Sequence, residues 1–380
     1  MEFSHNLQMN KLGILIDEKD PRVCLNPAFA KRYINDLKCA IYMESNAGLK
    51  AGYTNADYSA VGVTVCDRQT VLSEAELLLT INHIDFQSGE IANKTVISIL
   101  NPLFYPERLE AYMLPSVRLF SLDLMPRTSK AQSMDVLSSM ASLAGYKSVI
   151  KAADLQSNVI PMLTTAAGTV KPLKVLVLGA GVAGLQAIAT AKRLGAVVDA
   201  FDVRKSAGEE IKSLGANFIE VEGAAENQQA GGYAIEQTQE YLDRQRDMID
   251  KYVRAASIVI CTANIPGKKA PLLVQEESVK NMKPGSVIID LAAEQGGNCA
   301  LTENDRLIEV NGVRILGESF LARELAQTAS NLLSANYFNF LKHYFDTAAE
   351  NRAEDPIISG CLTIDNGVLV NDRIVTLVNQ

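Results

Sequence analysis

Histidine is scarce in this chain of 380 residues: His5, His83 and His343 are the only three, and they lie far apart. So few and so scattered a set argues against a histidine-built zinc centre or a histidine-centred nucleophilic triad. Six cysteines (Cys24, Cys39, Cys66, Cys261, Cys299, Cys361) form no CxxC pair. They read as buried thiols rather than as disulfides or metal ligands. Positive charge is not in excess either. The net charge is −8, which speaks against nucleic acid or an anionic membrane surface as a partner. The most apolar window, Val175 to Ala191, is short for a membrane span and carries Gln186 and several glycines. The first residues hold no apolar signal-peptide core, which predicts a cytoplasmic protein. Neither a repeat of 20–50 residues nor a low-complexity tract is evident. What remains has the composition of a soluble globular protein, with 48% hydrophobic and 21% charged residues. Its length allows two domains, each able to bury a core.

The most informative stretch runs from Val175 to Arg204, VLVLGAGVAGLQAIATAKRLGAVVDAFDVR. It reads as a buried strand, a glycine turn, a helix, a second strand and an acid. A βαβ unit that holds a dinucleotide needs that order. Gly179, Gly181 and Gly184 have the spacing G-x-G-x-x-G. The first glycine permits a sharp turn, the second lets backbone approach a pyrophosphate, and the third lets helix pack on strand. The helix then presents free N–H groups and its positive dipole end to phosphate. Asp202 ends the second strand at roughly the 20-residue interval expected of a ribose-binding acid. A carboxylate there accepts from a ribose 2′-OH and repels a 2′-phosphate, which favours NAD over NADP. The glycines alone would also fit a tight turn with no ligand; the strand, helix and acid in register favour the nucleotide.

The rest of the chain alternates in the α/β manner. Strands are expected over Lys11–Ile16, Ala40–Met43, Val61–Val65, Glu76–Thr80, Thr95–Ile99 and near Val117, with helices over Pro27–Leu37 and Pro106–Tyr112. Apolar residues recur at helical spacing from Ser133 to Ala153. Further strands are expected near Val175, Val197, Ile258, Val287 and Arg314, and a helix over Leu325–Phe345 that packs back on the first half. Alternation of this kind implies parallel sheets. Asp365-Asn366-Gly367 marks a hairpin between two short β runs within Ile358–Val375. The predicted fold is α/β: two Rossmann-like domains with parallel sheets, joined by long helices, with a cleft between them. One domain comprises residues 1–135 plus 325–380, and the other residues 136–324 with a mobile loop at about 221–240.

Two segments carry chemistry beyond the fold. Glu220 to Arg246 is long, polar and poor in strand formers. Loops of that kind are functional or disordered, and Ala230-Gly231-Gly232-Tyr233 suits either a flap that closes over a ligand or a solvated insertion. The second segment is PRTSKAQSMDVLSS, Pro126 to Ser139. Gln132, Asp135 and Ser138 step by three at the start of a helix and would share one face. By composition the cluster reads as helix capping, with Ser133 as the cap.

PRTSKAQSMDVLSS, the glycine fingerprint, the AGGYA loop and CTANIPGKKAP…MKPGSVIIDLAAEQGGNC occur in this order. Together they resemble the NAD(H)-binding domain of proton-translocating nicotinamide nucleotide transhydrogenases. The resemblance is dense from Leu124 to about Asn298, traceable to Gly367, and sparse before Leu124, where only DPRVCLNP echoes the family. It implies that Arg127, Gln132, Asp135 and Ser138 surround the nicotinamide end of NAD(H). Gly179, Gly181, Val182, Ala183 and Gly184 would hold the pyrophosphate, and Asp202, Val203 and Arg204 the adenosine ribose. Gly232 and Tyr233 would lie on the closing loop, with Gln245 on the helix after it, and Thr262, Ala263 and Asn264 would line the nucleotide. In that family hydride passes directly from NADH to NADP⁺ held on a partner subunit. The reaction needs two nicotinamide rings brought together and oriented rather than a general acid or base. The resemblance further implies a homodimer, an NADP(H)-binding partner subunit and a membrane-spanning partner subunit, which would hold this chain at the inner membrane from the cytoplasmic side.

Alanine dehydrogenase shares the architecture and is the nearest alternative. Its amino-acid pocket uses an arginine, a lysine, a histidine and an aspartate. Arg22 matches the first. No lysine is evident around Leu79–Asp85, Asn101 stands where the histidine is expected, and Glu294 where the aspartate is. Oxidation of an amine needs an acid/base group for the proton. A third reading is an NAD-binding paralogue without catalysis. It draws on Lys130 in place of the family's arginine, Met140 in place of a glutamine and Asn264 in place of a leucine.

Overall fold

The computed structural model describes residues 10–87, 89–221, 238–265 and 267–378. The chain divides into two compact units, Met1–Ser139 with Arg323–Gln380, and Met140–Ala322. Strands β1 (Lys11–Ile14), β2 (Ala40–Glu44), β3 (Thr64–Cys66), β4 (Leu77–Leu79), β5 (Thr95–Ser98) and β6 (Arg118–Ser121) belong to the first unit. The second holds β7 (Leu163–Thr165), β8 (Gly168–Val170), β9 (Lys174–Leu178), β10 (Val197–Phe201), β11 (Asn217–Ile219), β12 (Ile258–Cys261), β13 (Val287–Asp290), β14 (Arg306–Val310) and β15 (Val313–Gly317). Strands β16 (Leu362–Asp365) and β17 (Val368–Leu369) return to the first. The α-helices are α1 (Pro27–Asp36), α2 (Asn55–Ser59), α3 (Arg68–Glu74), α4 (Val136–Leu155), α5 (Val182–Arg193), α6 (Ala207–Ser213), α7 (Gln239–Ala255), α8 (Glu276–Lys280), α9 (Ala326–Asp346), α10 (Pro356–Cys361) and α11 (Asp372–Val378).

Both units are α/β with largely parallel sheets. The first sheet has the order β17-β16-β6-β5-β4-β1-β2-β3, and the second β11-β10-β9-β12-β13-β15-β14. In each, the chain winds outward from a central strand in one direction, then starts again beside that strand and winds the other way. This is the doubly wound Rossmann order, and it leaves a switch point between β1 and β4 in one unit and between β9 and β12 in the other. The central strands carry uninterrupted apolar runs because helices cover both faces. Every residue of β12 and β13 is buried, as are four of the five in β9.

The last strands depart from the expected parallel alternation. Strand β16 runs antiparallel to β6 and β17, and β14 antiparallel to β15. The Asn366-Gly367 turn sits between β16 and β17 with φ of 52° and 76°, the left-handed pair that a two-residue hairpin requires. The flanks expected to be β are helical: α10 ends at Cys361 and α11 starts at Asp372. Pro356 at the first helical position and the Asp355 side chain, which accepts from Ile357 and Ile358 N, start α10. Val61 and Gly62 fall in a turn rather than in β3, with φ of 95° at Gly62.

Helix α9 packs back within the first unit. Ser330 Oγ accepts from Val23 N at 2.9 Å and Ser334 Oγ from Asn26 N at 2.8 Å. The buried Tyr337 hydroxyl donates to Thr80 O. No helix among the described residues is long and apolar enough to cross a membrane.

Candidate functional site

In the second unit the fingerprint forms a tight turn at the carboxyl end of β9. Gly179 has φ +96°, a conformation that glycine alone adopts without strain. Its N–H donates to Phe201 O at the end of β10. Gly184 lies in the first turn of α5 and is buried. A Cβ there would stand 1.9 Å from Gly179 O and 3.1 Å from Thr262 Oγ1. Helix and turn therefore meet with no room for a side chain. Gly181 is exposed, and a Cβ built on it meets nothing within 4 Å among the described residues. The N-terminus of α5 thus opens on unfilled space, with Val182 exposed beside it and Ala183 half-buried. Backbone N–H groups at such a helix end attract phosphate.

Asp202 follows β10 directly. Its carboxylate accepts from Ala180 N at 2.7 Å through Oδ2, and from Arg204 N at 2.9 Å and Arg204 Nε at 3.0 Å through Oδ1. Arg204 also donates to Ala180 O at 3.2 Å. Acid and arginine thus brace the glycine turn, with Val203 half-buried between them. The bond from Asp202 raises the pKa of the guanidinium, against the effect of burial. Strand β12 delivers the third component. Thr262 Oγ1 donates towards Gly179 O at 2.9 Å and Leu178 O at 3.2 Å. Ala263 follows it, and the Asn264 side of the segment is exposed. Glycine turn, Asp202, Arg204, Thr262 and Ala263 therefore cluster at the carboxyl ends of β9, β10 and β12, beside the switch point.

Helix α7 starts at the Thr238 side chain, which accepts from Tyr241 N. Burial and, after it, the charge of Asp202 push the Tyr241 hydroxyl above its usual pKa. Gln245, one turn on, is only 7% exposed, and its Oε1 has no hydrogen-bond partner among the described residues. A buried amide oxygen left unpaired costs free energy that a ligand donor would recover. Gly232 and Tyr233, with most of the loop expected at about 221–240, lie outside the described residues.

The PRTSKAQSMDVLSS segment belongs to the first unit. It is not one helical face. Ser129–Met134 forms a 3-10 turn, Asp135 is extended with ψ 94°, and α4 begins at Val136. Gln132 and Ser138 are therefore on different elements. Ser133 does not cap α4; Asp135 does, accepting from Ser138 N at 2.9 Å and Ser138 Oγ at 2.6 Å. A carboxylate immediately before the helix reaches its first free N–H groups better than a serine two positions earlier. Arg127 and Gln132 are exposed, and Asp135 and Ser138 half-buried.

The turn is held from behind. Asn336 and Asn339 on α9 both donate to Ser133 O at 3.0 Å. Lys130 stands 3.8 Å from Asp355, which also contacts His343 Nε2 at 3.0 Å. Burial pushes the Asp355 carboxyl up, but the His343 bond and the N–H groups of Ile358 and Ile357 outweigh it and hold the group below the usual carboxylate range. A carboxyl lowered by folding stabilises the fold above its unfolded pKa and loses that effect as pH falls through the folded one. Asp355→Ala is expected to lower the melting temperature at neutral pH, and the wild-type and variant values should converge as pH falls below about 4. Thermal melts across a pH series measure this.

The first unit's own switch point is filled. Arg22 is buried, and its Nε and Nη2 both donate to the buried Asp20, at 2.9 Å and 2.6 Å. Asn82 donates to Asp17 and Asp20 at 2.7 Å and 3.0 Å, and Arg323 lies 3.2 Å from Asp20. Burial raises the Asp20 carboxyl, and Arg22 more than reverses it. The crevice beside them, lined by Arg22, Thr80 and Ile84 among others, encloses about 10 Å³, room for about one water. Arg22 already has a carboxylate partner within the chain. Glu294 is half-buried beside the second unit's sheet, and its N–H donates to Ser319 Oγ.

Two contributors escape a reading of the sequence. Tyr241 is a lone aromatic in a charged helix. Asn298 lies inside the GGN run, but its buried side chain bonds Ala263 and Pro271, far away in sequence. Among the described residues no group of three or more histidine, cysteine or acidic side chains could hold a metal ion.

Comparison with known proteins follows the same two units. The family described as alanine dehydrogenase/PNT, N-terminal domain, matches residues 16–144, and alanine dehydrogenase/PNT, C-terminal domain, matches 148–372. The first part of NAD(P) transhydrogenase subunit alpha of Rhodospirillum rubrum, a separate chain in that organism, is 40% identical over 364 residues, covering 92% of this chain and 94% of that protein. NAD(P) transhydrogenase subunit alpha of Cereibacter sphaeroides is 39% identical, covering 93% of this chain and 69% of its own length. The crystal structure of transhydrogenase from Sinorhizobium meliloti superposes with a TM-score of 0.85 at 38% identity, covering 95% of this chain and all of that one. An L-alanine dehydrogenase structure gives a TM-score of 0.80 at 22% identity, a likeness of fold.

Proposed function

This chain belongs to the alanine dehydrogenase/PNT family, and from that premise we propose that it is the NAD(H)-binding component of a proton-translocating NAD(P) transhydrogenase. The observation that carries this reading is the cradle at the β9/β12 switch point. There the open space at Gly181, the α5 N-terminus and the Asp202 carboxylate offer a phosphate site and a ribose acceptor side by side. Gly179 to Gly184 take the pyrophosphate in this reading, Asp202 to Arg204 the adenosine ribose, and Thr262, Ala263 and Asn264 the wall. Gln245 offers its unpaired Oε1. Arg127, Gln132, Asp135 and Ser138 serve the nicotinamide end, and Gly232 and Tyr233 the closing loop. Hydride then passes from NADH to NADP⁺ on a partner subunit, and a membrane-spanning partner carries the protons. The chain's task is to bind and orient one ring, which calls for no general acid or base. It works at the cytoplasmic face of the inner membrane, held there through its partners.

The similar proteins from Rhodospirillum rubrum and Cereibacter sphaeroides are both named as subunit alpha or a portion of it, which supports a multi-subunit enzyme. The filled crevice at Arg22 weighs against an amino-acid substrate. The test mixes this protein with a transhydrogenase NADP(H)-binding domain and follows reduction of an NADP analogue by NADH. Turnover is expected. NADH binding without turnover would favour a non-catalytic paralogue, and alanine-dependent NAD reduction would favour the dehydrogenase.

A homodimer belongs to the same reading. Strands β7 and β8 form a hairpin exposed at every residue, and Val159, Met162, Leu163 and Val170 beside or within it are 45–64% exposed. A lone two-stranded hairpin is marginal in water. No charge occurs from Ser157 to Val170, so a second copy meets it without repulsion. Sedimentation should give about twice 41.2 kDa, and Leu163→Glu should yield the monomer. A monomeric wild type would end the dimer proposal.

A further inference from the structure

The second unit contains a buried side chain to which the nucleotide reading gives no role. Strand β12 pairs with β13 only as far as Cys261 and Asp290. Beyond that point β13 turns away, and Leu291 N makes the last ladder bond, to Cys261 O. The edge of Ala263 would be left unpaired. The Asn298 side chain occupies it. Its Oδ1 accepts from Ala263 N at 3.0 Å, and its Nδ2 donates to Ala263 O at 2.8 Å and to Pro271 O at 2.8 Å. The amide thus stands in for the next strand, satisfying both backbone groups of one residue. Asn298 is 0% exposed. Its backbone is fixed in turn: N–H donates to Asp290 Oδ2 at 2.7 Å, and its carbonyl accepts from Leu273 and Val274 N. Asp290 also takes Cys299 N, Ala292 N and the Thr302 hydroxyl.

What Asn298 holds is the wall of the cradle. Ala263 abuts the glycine turn: a Cβ at Gly179 would stand 3.0 Å from Ala263 N and 2.8 Å from Thr262 Oγ1. Thr262 and Ala263 cannot shift without moving Gly179. We propose that Asn298 is a positioning residue for NAD(H), its amide fixing Ala263 and thereby the glycine turn. This rests on the NAD(H) reading above. One acceptor and two donors in one plane, at this reach, belong to asparagine. Aspartate has the shape but lacks the donors, and its charge would face two carbonyl oxygens. Burial against those oxygens raises an aspartate's pKa, so its protonated form would recover one donor.

The experiment measures NADH affinity of the full chain by fluorescence titration, together with thermal melts, for the wild type, Asn298→Ala, Asn298→Asp and Ile315→Ala. Ile315 is a buried β15 residue outside the cradle and controls for lost stability. Asn298→Ala should weaken NADH by about tenfold, whereas Ile315→Ala should bind like wild type although it melts lower. Asn298→Asp should regain affinity relative to wild type between about pH 8 and about pH 6. Should the wild type not bind NADH, the nucleotide reading fails and takes this inference with it. Should the wild type bind and Asn298→Ala bind equally well, the inference alone is overturned. Equal weakening by Ile315→Ala, or an Asn298→Asp profile parallel to wild type, overturns it likewise.

Discussion

Gly184→Ala is expected to lower the melting temperature by on the order of 5–10 °C and to abolish measurable NADH binding, because the added methyl has nowhere to go. Its Cβ would stand 1.9 Å from Gly179 O. The obstacle is backbone, so α5 must lift from the turn or the turn must open. Overpacking costs roughly 1–3 kcal/mol even where side chains can yield, and a unit of this size loses about 2–4 °C per kcal/mol. Gly181→Ala is the companion experiment. Nothing among the described residues lies within 4 Å of its Cβ, so stability should stay at the wild-type value. NADH affinity should nevertheless fall by about tenfold or more, since the methyl occupies the space assigned to the pyrophosphate and breaks charge-assisted bonds. Scanning calorimetry with NADH titration separates the two. Tight NADH binding by Gly181→Ala would remove the phosphate from this turn.

The second large effect is expected at Asp202. Asp202→Ala removes the acceptor for a ribose hydroxyl, the acceptor for Ala180 N and the partner of Arg204. Affinity for NADH should drop by about tenfold or more. Affinity for NADPH should rise, because the repelling carboxylate is gone and a guanidinium that it held at 3.0 Å is released to face a 2′-phosphate. Parallel titrations with both nucleotides give the selectivity ratio. An unchanged ratio would sink the ribose assignment. A modest loss of stability accompanies the change, since Ala180 N loses its partner.

Much of this architecture is local and therefore legible in the chain. β9 and β12 are short apolar runs, α5 follows its glycines, and Asn366-Gly367 dictates a two-residue turn. Each follows from side-chain period or backbone freedom over a few residues. The glycine spacing and the acid after β10 identify a nucleotide cradle, because the chemistry of a pyrophosphate fixes what must stand near it. Elements whose partners are distant were not legible. The β16 and β17 pair joins the first sheet antiparallel to β6, which no local pattern encodes. Asp135 rather than Ser133 caps α4 because the chain leaves the 3-10 turn extended, a path set by Asn336 and Asn339 two hundred residues away.

The sequence by itself determined that this chain builds two α/β units and that one carries a dinucleotide fingerprint with an acid in place. Those are matters of spacing, and spacing is written along the chain. Only the tertiary structure decided how that fingerprint is braced. Asp202 ties the turn through Ala180, Thr262 seals it against β12, and Asn298 completes the edge that β13 abandons. It also decided that Arg22, a match to an amino-acid pocket in sequence, is spent on Asp20. A buried polar group must find its partners wherever the fold puts them, and that choice lies between segments rather than within one.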